Sequence, residues 1–269
     1  MQLEANVASA SFDAVADNYD VNFTESIIGT AQRKAVWRKL RQTYTSGDHL
    51  LEIGCGTGED ACFLAQRGVG VLACDASSRM VSVARQKVIN RGLERLVKTV
   101  HIPAEEIQSL SEFGMFDGAY SNFGSFNCID NLEAIAQKLA RLVRPHGNVL
   151  ICMMSRYCLW EIAWFLLHGN TTKAFRRLHS EGITTCIGGL PLRVRYPSVR
   201  QVARAFAPGF QFVGLQGIGI FVPPSYVESL ARRSPFLIGG AATADAYLAA
   251  CPGVRTLADH ILLHFKRIA

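Results

Sequence analysis

Leu50-Leu51-Glu52-Ile53-Gly54-Cys55-Gly56-Thr57-Gly58-Glu59-Asp60 decides the fold. Leu50 to Ile53 reads as a short buried strand running straight into the glycine turn Gly54 to Gly58. Glu59 to Arg67 then reads as a helix. Glycines in such a turn permit positive φ and bring backbone close to a ligand. The next strand, Gly70 to Cys74, ends at Asp75, 21 residues after Gly54. A carboxylate placed there can accept both hydroxyls of a ribose.

A nicotinamide dinucleotide would use the same geometry. Two features argue against it. The spacing is G-x-G-x-G rather than G-x-G-x-x-G, and Glu52, Glu59 and Asp60 crowd the turn and the helix start. A pyrophosphate would rest at that helix N-terminus and be repelled. Acidic surroundings suit a ligand that carries an ammonium and a sulfonium beside its ribose, which is the description of S-adenosylmethionine.

Outward from the turn, strands and helices alternate. Helices are expected at Asn22 to Arg41, Ser77 to Asn90 (with Ser77 as N-cap) and Leu132 to Val143. Further strands are expected at Val97 to Ile102, Phe116 to Ser121 and Val149 to Met154. This rhythm predicts an α/β fold with a doubly wound, mostly parallel sheet and helices on both faces. Its ligand belongs beyond the C-terminal ends of the strands. After Met154 the rhythm changes. Helices are expected at 157–168, 172–180, Ser198 to Phe206 and across 225–250, with a Gly188-Gly189 hairpin over Ile183 to Tyr196. Phe210 to Phe221 and His260 to Ile268 read as strands, the last making an antiparallel pair at the sheet edge.

These motifs, taken in order, resemble the class I S-adenosylmethionine-dependent methyltransferases. The resemblance rests on LLEIGCGTGED, VLACDASSRMVSVAR, Pro103-Ala104-Glu105, FDGAYSNFGSFN and LARLVRPHGNVLI. The opening FDAVADNYD resembles the small-molecule, ubiquinone/menaquinone-type group. The likeness covers about residues 11–155 and the closing strand. It implies a Rossmann-like, seven-stranded sheet with an antiparallel edge strand and a helical/hairpin insertion. It also implies one methyltransferase domain over 1–269. That domain would comprise an N-terminal helical lid (1–45), a cofactor-binding core (46–154), substrate-covering insertions with an edge strand (155–257) and the final strand (258–269). Two positions depart from the pattern. Ala104 stands where an acidic residue is frequent, and Pro145-His146-Gly147 replaces Pro-Gly-Gly, so His146 reads as a turn residue.

The resemblance implies S-adenosylmethionine as cofactor, S-adenosylhomocysteine as product, and a set of contacts. Backbone at Gly54, Cys55 and Gly56 would line the methionine part, and Gly58 in the same turn would also contact the cofactor. Glu52 would order the loop or meet the ammonium through water. Asp75 would take the ribose, while Ala76, Met80, Ala104 and Glu105 would meet adenine. Ser121 and Asn122 would lie under the sulfonium, and Tyr19 would cover the cofactor. Asn122, Asn127 and Tyr19 are the candidates to assist catalysis, and the sequence names no base. Phe126, Asn127, Trp160, Arg176 and Arg195 are the acceptor-side candidates. Cys128 reads as a core or pocket-wall residue. His168 and His179 come from the added helices and could reach the pocket.

Charge sharpens the acceptor expectation. The net +6 divides into 15 basic and 17 acidic residues up to Met154, and 13 basic and 5 acidic beyond it. A cationic acceptor half suggests an amphipathic or anionic small molecule, acidic or bound to a carrier protein. An RNA or protein methyltransferase is the alternative. Against RNA, SNFG stands where many amino-group nucleic-acid methyltransferases carry an NPPY-like tetrapeptide. A non-catalytic S-adenosylmethionine-binding protein is a second alternative. Eight cysteines without a C-x-x-C pair read as small core residues of a reduced, cytoplasmic protein, and no metal site is expected. Met1 to Ala10 has no signal-peptide pattern, and Val149 to Leu167 is interrupted by Arg156 and Glu161, so no membrane span is expected.

Overall fold

The five strands expected from the alternation all form and lie parallel. They are β1 (His49–Ile53), β2 (Gly70–Asp75), β3 (Val97–His101), β4 (Phe116–Ser121) and β5 (Val143–Met154). The hairpin is β6 (Ile183–Ile187) and β7 (Leu190–Val194), which make a separate two-stranded sheet. β8 (Phe210–Ile218) and β9 (His260–Arg267) complete the main sheet, in the order β3-β2-β1-β4-β5-β9-β8. β9 runs antiparallel to both β5 and β8, so an antiparallel pair closes this edge. The computed structural model describes residues 2–179 and 181–269. Met1 of the lid segment and Ser180 of the 172–180 helix lie outside the described residues.

The chain reverses its direction of travel across the sheet between β1 and β4. This switch point opens a crevice at their C-terminal ends, as doubly wound sheets do. Each face of the sheet buries its own apolar cluster. On one face Leu51, Ile53, Ile151 and Phe265 pack against Ile135, Leu139 and Leu142 of the helix Leu132–Leu142. On the other, Leu50, Val71 and Leu150 pack with Val36, Leu40 and Ala84 of the flanking helices. Local capping follows the sequence. The Ser77 hydroxyl accepts from the Met80 N–H at the start of the helix Ser78–Asn90, and Ser198 with Gln201 forms a capping box.

Several boundaries differ from expectation. The long N-terminal helix begins at Ile27 and runs to Thr43, because Ser26 caps it through Gly29. The preceding Asp20–Thr24 forms a wider π turn. The 172–180 helix shortens to Thr171–Ala174 followed by a 3₁₀ turn at Arg176–Leu178, where two arginines turn inward to buried carboxylates. β8 stops at Ile218, before Gly219 at φ 73°. The 225–250 region divides into Ser225–Val227, Glu228–Ala231 and Pro235–Leu248. Ala104–Phe113 is a 3₁₀ helix that the hydrophobic pattern did not reveal. Cys186 and Cys251 are exposed, unlike the buried Cys62, Cys74 and Cys152, so the core reading does not hold for those two.

His146 occupies the turn within β5 at φ 67°, a left-handed conformation that glycine adopts without steric cost. His146→Gly should therefore leave cofactor affinity unchanged and stabilise the fold by about 0.5–1 kcal/mol, read by urea unfolding.

Candidate active site

A cavity of about 480 Å³ opens at the C-terminal ends of β1, β2 and β4. Its floor is the glycine turn. Gly54, Cys55 and Gly56 all line it, and an added side chain at Gly56 would meet no atom within 4 Å. Gly58 does not line it. At φ 74° it starts the helix Glu59–Ala65, and a Cβ there would come within 2.9 Å of the Ala84 Cβ. That glycine serves close packing of two helices rather than ligand contact.

Asp75 stands at the end of β2 on the cavity wall. One carboxylate oxygen accepts from the Gly56 N–H and the other from the Ser77 N–H, both at 2.8 Å. Each oxygen keeps a lone pair for a further donor. Burial pushes the Asp75 carboxyl above the usual carboxylate range, against the pull of these two N–H groups and His101. Ala76, Met80, Ala104 and Glu105 line the same end of the cavity.

At the other end Asn122 lines the wall and donates to Asp60 at 3.0 Å, while its buried Oδ1 has no partner. Asp60 also accepts from Arg33 at 2.7 Å and from the Trp37 indole. No local pattern signals the Arg33–Asp60 pair, which joins the first long helix to the helix after the glycine turn. Glu52 and Ser121 lie buried behind the wall rather than on it. Burial, reinforced by Asp60, holds the Glu52 carboxyl well above its ordinary range, and its Oε2 has no partner. The acid rim read from sequence is also partly neutralised: Glu59 is bridged by Lys87 and Arg91.

The N-terminal segment covers this site. Ala8, Ser9, Phe12, Val15 and Tyr19 all line the cavity. Three aspartates fasten the segment down. Asp13 accepts from Ser77 and from the Arg79 N–H, Asp17 pairs with Arg79, and Asp20 meets Thr57 and Lys87. Burial pushes the Tyr19 hydroxyl up to about 12, so it stays protonated and can donate a hydrogen bond.

The remaining wall is apolar and comes from places the sequence did not single out. Phe123, Ile129 and Met154 face Ile187, Leu192 and Val194 of the hairpin. Phe123 sits at φ 51°, wedged between Phe23 and His260. Cys128 is also on the wall, its thiol pushed up to about 11 by burial and therefore protonated near neutral pH.

The acceptor-side candidates lie elsewhere. Phe126 is packed into the core beside Phe206. Asn127 is a structural clamp, bonded to the Met154 N–H and carbonyl and to the Arg195 carbonyl. Trp160 donates to the Phe221 carbonyl at 2.9 Å. Arg176 is paired with Glu161, and Arg195 with Asp130. His168 and His179 are exposed outside the cavity wall. Among the described residues, no cluster of side chains could hold a metal ion.

Residues 51–151 match the methyltransferase domain family. The glycine turn, Asp75 and the β4 end of the crevice all lie within this matched stretch. The chain is 30% identical over 147 residues to the demethylmenaquinone methyltransferase of Clavibacter sepedonicus, a match covering 55% of this chain and 58% of the relative. It therefore spans less than two thirds of that relative's length. An uncharacterized protein of Methanocaldococcus jannaschii is 26% identical over 238 residues, covering 84% of this chain and 88% of that one. In fold, the chain is similar to the CcbJ methyltransferase of Streptomyces caelestis, with a TM-score of 0.62 at 15% identity, covering 96% and 98% of the two chains. No helix among the described residues is long and apolar enough to cross a membrane.

Proposed function

We propose that this chain methylates a small, largely apolar acceptor by direct in-line transfer from S-adenosylmethionine. The apolar wall that Phe12, Val15, Met154, Ile187, Leu192 and Val194 build opposite the glycine turn carries this reading. The acceptor would lie between that wall and the cofactor. The site's chemistry fits a cationic nucleoside. Asp75 has lone pairs left for ribose hydroxyls, Asn122 on the wall has an orphaned Oδ1 acceptor, and Gly56 opens onto free space.

Backbone at Gly54, Cys55 and Gly56 would hold the methionine part, with Ala76, Met80, Ala104 and Glu105 around adenine. Tyr19 would close over the cofactor. When bound, S-adenosylmethionine supplies a methyl group on a positively charged sulfur that departs neutral. The chain's own task is to align the acceptor and exclude water. Among the described residues no histidine lines the cavity, and the Cys55 and Cys128 thiols are protonated by burial. No base is assigned on these grounds.

An acidic acceptor head finds less support than the charge count suggested, because Arg176 and Arg195 are committed to carboxylates off the wall. The name of the Clavibacter sepedonicus relative makes demethylmenaquinone the first acceptor to try. A labelled-methyl screen of extracted metabolites should place the label in the organic phase. Label appearing in RNA or protein instead would refute the reading. Ile187→Arg should raise KM for the apolar acceptor about tenfold and leave S-adenosylhomocysteine affinity within about twofold.

A further inference from the structure

Two helices outside the cavity expose apolar side chains to an unusual degree. On Leu159–Leu167, Leu159 and Leu166 are exposed and Leu167 is 85% exposed. On Pro235–Leu248, Phe236, Leu237 and Tyr247 are 77%, 57% and 83% exposed. The segment between them adds Tyr226 and Leu230. These pieces belong together. Trp164 packs with Val222, Val227 and Ile238 in one small cluster, and the Phe165 and Tyr226 rings lie 5.6 Å apart. Isolated exposed leucines need no explanation, but a contiguous apolar face marks an interaction surface.

The charges on these segments point one way. Residues 156–179 and 221–250 contain three carboxylates, Glu161, Glu228 and Asp245. Each is turned inward. Glu161 is 1% exposed and bonded to Arg176 and Arg177. Glu228 accepts from the Ile27 and Ile28 N–H groups, and Asp245 from those of Phe221 and Val222. Arg176 and Arg177 turn inward with them, but three other cations face outward. Lys173, Arg232 and Arg233 are exposed, with Lys173 beside the Phe165 ring and the arginine pair between Leu230 and Phe236, Arg232 also bonding Glu228 at 3.2 Å. The outer face is thus apolar and basic, the combination that an anionic bilayer surface complements.

We propose that this face rests on the surface of an anionic membrane. It would lie in the interface rather than cross it, since neither helix is long enough to span. The face adjoins the cavity: Ser225 lines the cavity wall and Tyr226 beside it is exposed on the face.

The test is co-sedimentation of the full chain with vesicles of phosphatidylcholine, with and without phosphatidylglycerol. Binding to the anionic vesicles should be at least about tenfold tighter, and should weaken as salt rises from about 0.1 M to about 0.5 M. Leu167→Glu with Phe236→Glu should reduce it about tenfold or more, and so should Lys173→Glu with Arg233→Glu. All four side chains are exposed, so melting temperature and S-adenosylhomocysteine affinity should stay at wild-type values in both variants. Equal binding to both vesicle types, or no loss in the variants, overturns the proposal. So does wild-type self-association that Phe236→Glu abolishes while no vesicle binding is seen, because that gives the face to a second copy of this chain. Vesicle binding is read without turnover, so its failure leaves the methyltransferase reading standing.

Discussion

Asp75→Ala should weaken S-adenosylhomocysteine binding about 10- to 100-fold by calorimetry, since a hydrogen bond to a charged group is worth about 1.5–3 kcal/mol. The upper end is expected, because Asp75 has two duties. It would accept the ribose hydroxyls, and it already holds the Gly56 and Ser77 N–H groups. Its loss therefore loosens the glycine turn and the start of the following helix together. Asp75→Asn keeps one carbonyl oxygen and should fall between wild type and alanine. The pH dependence is a second signature. Burial raises the Asp75 carboxyl above the usual range, so it takes up its proton at a higher pH than an ordinary carboxylate. Ribose binding favours the ionised form. Affinity should therefore be full well above the raised value and decline as pH falls through it, and the decline should shrink in Asp75→Ala. Wild-type affinity in Asp75→Ala would remove this residue from the site.

The cofactor end of this site was legible because its signals are local. A strand, a glycine turn and a carboxylate at the next strand end are read within 26 residues, from Leu50 to Asp75. The structure puts Gly54, Cys55, Gly56 and Asp75 on one cavity wall. Gly58 was misread because periodicity cannot say whether a glycine faces a ligand or a neighbouring helix. The acceptor end was poorly legible for a different reason. Its wall joins the N-terminal helix to a hairpin more than 170 residues later, as Phe12 and Ile187 show. Nothing local marks such a meeting. Short apolar hairpin strands look alike whether they line a pocket or a core.

Charge was misread in an instructive way. The surplus beyond Met154 suggested cations waiting for an anionic acceptor. Counting cannot see pairing: Arg176, Arg177 and Arg195 are each bonded to a carboxylate. The Arg33–Asp60 bond, across 27 residues, was invisible for the same reason. Part of the surplus that remains outward, Lys173 and Arg233, flanks the exposed apolar helices, while Arg200 and Arg204 are exposed on the helix Val199–Phe206.

The buried pairing carries the second large effect. Arg177→Met should destabilise the fold by about 3–5 kcal/mol, the usual cost of stripping one partner from a buried ion pair. The Arg177 side chain is 6% exposed and donates to Glu161 at 2.9 Å and to Asp259 at 2.8 Å. It also donates to the Ser155 and Asp259 carbonyls. Arg176 still neutralises Glu161 when Arg177 is gone, so the stranded charge is Asp259. Gln32 and His260 touch its other oxygen, and neither replaces a guanidinium. Burial alone would raise the Asp259 carboxyl, but His260 and Arg177 outweigh it and hold the group far below the usual carboxylate range. A carboxyl depressed on folding stabilises at pH above its unfolded value, and this is lost as pH falls towards the folded one. Wild-type stability should therefore drop below about pH 4, with a shallower slope in Arg177→Met. Arg177→Met combined with Asp259→Asn removes both charges and should recover about half of the loss or more, read by urea unfolding at neutral pH. If the double variant were no more stable than Arg177→Met alone, the stranded-charge account would fail and lost packing around the guanidinium would be the cause.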